Sequence, residues 1–205
     1  WRPQRVRILL IAESHVAEQS GDIEAKVMPL KELVPNLFLP SGFCRLVYCL
    51  GYGENQICHP NALSNNGGTW QYWDLFGSIC NGLNVSIPPK LPRRNESSIK
   101  ERLEWKLKVL QTLMNAGVWL EDASVIGLYS SGKRIITGKR YKDLVRESFM
   151  NFAWPGVEKD NLEQVWVIGL GVGKALAGLP MISSDLVISQ PQDRDVNRYK
   201  KDVER

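Results

Sequence analysis

Three short apolar runs constrain the fold of this chain most: Val6–Ala12, interrupted by Arg7, then Val118–Leu120, then Val165–Ile168. Each reads as a buried strand, and the segments between them carry helical spacing. Ser98–Asn115 is the clearest helix. Ser98 and Glu101 form a capping box, Ile99, Leu103, Leu107, Leu110 and Met114 recur on one face, and Gly117 ends it. Residues 141–153 make a second amphipathic helix, with Tyr141, Leu144, Val145, Phe149 and Phe152 on one side. A third covers Trp70–Cys80 behind a Thr69 cap, where Trp70, Tyr72 and Trp73 read as helix core before pocket lining. Val125–Tyr129 continues the extended chain after Asp122, Gly169–Gly173 turns into a helix at Lys174–Ala177, and Leu186–Ile188 is a fourth, short strand. Strands alternating with helices of this length predict an α/β fold, three-layer α/β/α, around a central, mostly parallel four-stranded sheet. Such a sheet keeps its site in a crevice at the carboxyl ends of its strands. The candidate residues are therefore Glu13 to Val16, Asp122 to Ser124, the Gly169 turn, and Gln190 to Arg194.

A length of 205 residues predicts one domain over 1–205, long enough to bury a core without cross-links. No apolar run reaches the length of a membrane span. The N-terminus enters its first strand at once, so no signal peptide is expected. None of the four cysteines, Cys44, Cys49, Cys58 and Cys80, forms a CxxC pair, and a reducing cytoplasm is the simplest compartment. Cys58-His59 fits no common zinc spacing, so no metal or other cofactor is expected. The net charge is +4, and its distribution says more than its size. Lys133, Arg134, Lys139, Arg140 and Lys142 share one stretch without an acid, Lys90, Arg93 and Arg94 cluster beside prolines, and Arg198, Lys200 and Lys201 lie in the C-terminal tail. Such clusters suit phosphate contacts, and each reads equally well as solvated surface.

Two familiar motifs fail. Gly169-Leu-Gly171-Val-Gly173-Lys174 has Lys where a dinucleotide fingerprint needs Gly. As a phosphate-binding loop it has Ile168 and Ala175 where Gly and Ser or Thr belong. These glycines read as close packing of helix on strand. No GxSxG exists and the histidines are His15 and His59, which argues against a nucleophilic triad.

The order of the post-strand segments resembles the uracil-DNA glycosylase superfamily. Ile11-Ala12-Glu13-Ser14-His15-Val16 stands where that family has a strand followed by Gly-Gln-Asp-Pro-Tyr or Gly-Glu-Ala-Pro-Gly. Ala116–Ala123 is similar to its Gly-Val-Leu-Leu-Leu-Asn-Ala strand, Val165–Leu176 to the strand, glycine turn and helix before the last motif, and Val187–Gln192 to the His-Pro-Ser loop. The likeness covers nearly the whole chain, in the family's order. It implies a DNA glycosylase that binds double-stranded DNA, flips out a base and hydrolyses its bond to the sugar, here as a monomer. Some members carry an iron–sulfur cluster on four cysteines, but the N-terminal pair of that set is absent here.

The departures set the expected chemistry. Glu13 matches the Gln or Glu position, while Ser14, expected among the base-binding residues, falls where some branches have a catalytic Asp and others Ala, and His15 replaces Pro. The reaction passes through an oxocarbenium-like sugar, so a carboxylate helps by its charge and by orienting water. Glu13 is assigned that role, with His15 as helper or phosphate contact; its other reading is a structural bond to the loop. Val16 stands where one branch has a Tyr that excludes 5-substituted bases, and leaves room at C5 unless it only packs in the core. Asp122 stands at the base-reading Asn. An ionised Asp cannot donate to uracil O4 but accepts from the cytosine amine, and a protonated one also donates to cytosine N3. Its other reading is a turn cap with Ser124. Gln190 takes the place of the His that stabilises the leaving base, as an uncharged donor. Gln192 and Arg194 fall on the loop that pushes into the duplex, and Phe43 near the stacking Phe. Lys133, Arg134, Lys139 and Arg140 are expected to contact DNA. The superfamily includes a phage-defence glycosylase that removes cytosines enlarged at C5, such as glucosylated hydroxymethylcytosine, and Asp122 with Val16 fits that substrate better than uracil. The alternatives are a repair glycosylase for uracil or another deaminated base, a DNA-binding member that does not cut, and a small-molecule hydrolase that shares the fold.

Overall fold

The structure is a computed structural model and describes residues 1–14, 54, 71–82, 91–93, 95–130, 133–191 and 201. Strand β1, Ile8–Ala12, is buried along its whole length and forms the middle of the fold. It pairs in parallel with β2, Val118–Asp122, on one side and with Gln164–Ile168 on the other. A strand flanked on both edges and covered on both faces has no solvated side, which is why Ile8 to Ala12 is continuous apolar sequence.

The elements follow the chain as β1, α1 (Tyr72–Gly82), α2 (Ile99–Asn115), β2, a two-stranded ribbon of β3 (Tyr129–Ser130) and β4 (Lys133–Arg134), α3 (Gly138–Ser148), β5 (Gln164–Ile168), α4 (Leu170–Leu176) and β6 (Val187–Ile188). The sheet order is β2-β1-β5-β6, and every pairing in it is parallel. The α/β class and the four-stranded sheet stand as expected.

Alternate side chains of the strands enter two separate clusters, as the pleat requires. Ile8, Leu10, Val118 and Leu120 pack with Trp73, Phe76 and Ile79 of α1 and Leu103, Val109, Leu110 and Leu113 of α2. Leu9, Ile11, Val165 and Val167 pack with Tyr141 and Val145 of α3 and Val172, Ala175 and Leu176 of α4. Trp73 is core, set edge-on against Phe76 and Trp105. Burial pushes the Cys80 thiol on α1 up to about 12, so it is an inert packing group.

Helix α2 has the expected capping box, with Ser98 and Glu101 exchanging bonds. Gly117 ends it at φ +80°, where a Cβ would lie 3.0 Å from Arg7 Cγ and 3.1 Å from the Arg5 carbonyl. Its buried stripe is rotated from the expected one. Arg102 and Lys106 lie inside, while Leu107 and Met114 are only half-buried. The cause is Glu54, 1% exposed, which accepts from Arg102 Nε and Nη2 at 2.8 Å each and from Lys106 Nζ at 3.1 Å. Lys106 Nζ also stands 5.4 Å from the Trp73 ring centroid.

Three local expectations are corrected. Residues 125–128 are irregular and the extended pairing begins at Tyr129, in the short ribbon with β4. Helix α4 starts at Leu170, directly after Gly169, instead of at Lys174. Helix α3 ends in a π-type turn over Phe149–Ala153, whose wider winding breaks the 3.6-residue period. Phe149 and Ala153 stay buried, and Phe152 points out at 62% exposure.

Candidate active site at the carboxyl edge of the sheet

The chain leaves β1 to return at β2, and leaves β5 through α4 to return at β6 on the other side. Neighbouring strands β1 and β5 thus send their connections in opposite directions, the arrangement at which open α/β sheets place a ligand, outside the carboxyl ends of the strands. Glu13 follows β1 there and Gly169 follows β5.

The sheet holds the Glu13 backbone firmly. The ladder continues past the strands, with Ala123 N donating to Ala12 O at 2.8 Å and Ser124 N to Glu13 O at 3.0 Å. Ser14 Oγ accepts from Leu128 N at 3.1 Å and ties the start of the β1 loop to the loop after β2. Ser14 therefore has a local structural role.

Glu13 is 4% exposed. Arg134 Nη2, from β4, donates to its Oε1 at 2.7 Å, and the Tyr141 hydroxyl, from the first turns of α3, donates to the same oxygen. The Arg134 guanidinium also lies over the Tyr141 ring, 4.4 Å from its centroid. The first turn of α4 closes the cluster. A Cβ on Gly171 would lie 3.4 Å from the Tyr141 hydroxyl and 3.7 Å from Arg134 Nη2. Parts of the chain 121 and 128 positions from Glu13 thus converge on one carboxylate oxygen.

Gln190 packs against the same turn. Gly169 has φ +102°, and a Cβ there would meet Gln190 Cγ and Nε2 at 3.0 Å. Gly169 N donates to Ile188 O at 2.6 Å, which fixes this turn against β6. The glycine turn from 169 to 171 thus adjoins Gln190 at one residue and the Glu13 cluster two residues later. The third glycine packs as expected: a Cβ on Gly173 would lie 2.7 Å from Val187 Cγ1.

Asp122 ends β2 half-buried, in register with Ala12. By the pleat it continues the face of Leu120 and Leu10, whereas Glu13 continues the face of Ile11. Asp122 and Glu13 share the carboxyl edge but leave it toward opposite faces. Burial raises the carboxyl of Glu121, and the charge of Asp122 beside it raises it further.

The basic stretch divides. Arg134 turns inward to Glu13, while Lys139, Arg140 and Lys142 are exposed. Lys139 and Arg140 border an open groove of about 750 Å³ with Asp143, Glu147, Ile126 and Phe152, where acids offset part of their charge. Only the backbone of Lys133 is described, and His15, Val16, Phe43, Gln192 and Arg194 lie outside the described residues. Among the described residues no group of three or more His, Cys, Asp or Glu is placed to hold a metal ion, and no helix is long and apolar enough to cross a membrane.

Tyr141 is the site residue that the sequence reading missed, because its spacing places it in an apolar helix stripe. The available signal was its hydroxyl, since a tyrosine buried in such a stripe needs a polar partner. No protein-family model, no curated protein and no solved structure matches this chain.

Proposed function

We propose that this protein is a DNA glycosylase, with Glu13 as the carboxylate that activates water and a cytosine enlarged at C5 as the base removed. The observation that carries the reading is Glu13 itself. It is a buried carboxylate at the carboxyl end of the central strand, at the point where the connections diverge, with Oε1 held by Arg134 and Tyr141. A carboxylate that must stay charged next to an oxocarbenium-like sugar benefits from a fixed orientation and a cationic partner.

In the proposed step the bond between C1′ and the base nitrogen breaks, and its electron pair leaves with the base. Gln190, an amide donor packed against the glycine turn, supports the leaving base. Water ordered by Glu13 Oε2 adds to C1′, and the proton it loses ends on the released base. The products are the free base and an abasic site. The preference for cytosine rests on Asp122, which accepts from the N4 amine where Asn would serve uracil O4.

A second reading has a specific observation in its favour. Glu13 is 4% exposed and already paired, which also suits a structural ion pair in a DNA-binding protein that does not cut. One assay separates the readings. Purified protein is mixed with uracil-containing DNA, plain cytosine DNA and phage DNA carrying glucosylated hydroxymethylcytosine, and alkali then reveals abasic sites as strand breaks. Breaks in the phage DNA alone are expected. Breaks in the uracil DNA would make it a repair enzyme, and binding without breaks would leave the non-cutting reading.

A further inference from the structure

We infer that Arg134 is a positioning residue for Glu13 rather than a phosphate contact, and that Tyr141 is its partner in that task. The inference rests on the glycosylase reading and assigns two residues of the same site. Its geometry is independent of that reading. Arg134 Nη2 stands 2.7 Å from Glu13 Oε1, and the guanidinium plane is backed by the Tyr141 ring at 4.4 Å. Tyr141 is 4% exposed and its hydroxyl donates to the same oxygen. Two donors on one oxygen fix the carboxylate in both rotation and tilt, which a single ion pair does not. Gly171 lets the start of α4 pass beside both donors without displacing them.

The arrangement is ill suited to stability alone. A half-exposed Arg paired with a buried carboxylate loses much of its attraction to desolvation, and apolar residues of similar volume serve a core at least as well. It is well suited to keeping a reacting group in one orientation, where a displacement of 1 Å costs on the order of 100-fold in rate. The neighbours Lys139 and Arg140 remain exposed for phosphates, so the basic stretch carries two different tasks.

The test compares Arg134→Met, Arg134→Lys, Tyr141→Phe and the double variant Glu13→Gln with Arg134→Met, each checked for folding by circular dichroism and melting. The double variant removes the orphaned charge should Arg134→Met alone fail to fold. The DNA is the one that the wild-type chain cuts, and turnover and binding are read separately. Arg134→Met is expected to lower kcat about 100-fold with KM within about threefold of wild type. Tyr141→Phe is expected to lower kcat about tenfold, and Arg134→Lys to recover most of the Arg134→Met loss. The salt dependence of DNA binding is expected to be unchanged in Arg134→Met and in the double variant. A drop of about one in its slope would make Arg134 a phosphate contact and overturn the assignment. A well-folded Arg134→Met that keeps its kcat would overturn it as well. A wild-type chain that cuts none of the DNAs overturns the glycosylase reading first, and that result is in hand before any variant is measured.

Discussion

Arg134 Nη2 donates to Glu13 Oε1 across 2.7 Å and so joins the short ribbon after β2 to the end of the central strand. Both residues are also placed by backbone pairing. Glu13 is carried by the parallel ladder, through Ser124 N on its carbonyl. Arg134 is carried by β4, which pairs with Tyr129 and Ser130. The charge just after β1 and the charge on the ribbon meet because β2, which precedes the ribbon, is the immediate neighbour of β1.

Glu13→Gln separates charge from shape at this point. The amide oxygen still accepts from Tyr141 and Arg134, so melting is expected to shift by less than about 4 °C. DNA binding is expected to stay within about threefold. Abasic-site formation is expected to fall at least about 100-fold, the usual range for losing a general base. A variant that cuts at the wild-type rate would remove Glu13 from the mechanism.

Glu54 holds the second buried charge cluster, and here the expected effect is on folding. Replacing it with Ala leaves Arg102 and Lys106, 3% and 0% exposed, without their shared carboxylate. The expected loss is about 3–5 kcal/mol in urea unfolding, the usual cost of breaking a buried pair. Replacing all three residues with apolar ones (Glu54→Leu, Arg102→Met, Lys106→Met) is expected to restore most of it. A loss below about 1 kcal/mol for Glu54→Ala would mean that water reaches the cations.

The same carboxylate sets an acid limb. Burial alone would raise Glu54, but the Arg102 hydrogen bonds and the charge of Lys106 outweigh it and hold the carboxyl below its ordinary value of 4.5. A group lowered in the folded state adds stability above that value and loses it as pH falls through the folded one. Wild-type stability is therefore expected to fall below about pH 4.5, and Glu54→Gln to be less stable at neutral pH with a flatter acid limb. Urea titrations at several pH values check this, and parallel curves for the two proteins would contradict it.

The parts legible in the sequence are those with local signals. β1, β2 and β5 are short apolar runs, and α2 opens on its capping box. The glycines after β5 announce close packing, seen in the approach of Gly173 to Val187. The illegible parts depend on distant partners. Arg102 and Lys106 look like the solvated face of a helix until Glu54, 48 and 52 positions away, is placed against them. Two-residue strands such as β3 and β4 have no period to detect, so the ribbon that brings Arg134 to Glu13 left no trace in the sequence. Phe152 fits the apolar stripe of α3 by counting, and the π-type turn alone puts it in solvent.

Gly173→Ala tests the packing reading directly. The new methyl would lie 2.7 Å from Val187 Cγ1 and 2.9 Å from Cγ2, so either α4 or β6 must shift. Overpacking of this kind is expected to cost about 1–3 kcal/mol. Val187→Ala in the same chain removes the clash and is expected to recover all but about 1 kcal/mol. Unfolding curves of the two single variants and the double variant give the coupling. Additive losses would mean that the two residues do not touch.

Asp122→Asn addresses the base. Asp122 stands at the carboxyl end of β2, on the same edge as Glu13 but continuing the opposite face of the sheet. It can read a base only if the flipped pyrimidine enters across the end of the sheet, with its amine edge over β2 and its sugar over β1. In that pose an ionised Asp accepts from the N4 amine of cytosine and faces uracil O4 with no proton to give. Asn supplies that proton and also accepts from N3–H. Asp122→Asn is therefore expected to lower cutting of the glucosylated hydroxymethylcytosine DNA and raise cutting of uracil DNA, each by about 10- to 100-fold, which corresponds to one well-placed base contact. The two rates are measured on the same protein preparation, so a general loss of folding lowers both and is told apart from a change of preference. Equal effects on both DNAs would remove Asp122 from base recognition and leave its position at the end of β2 as a turn cap.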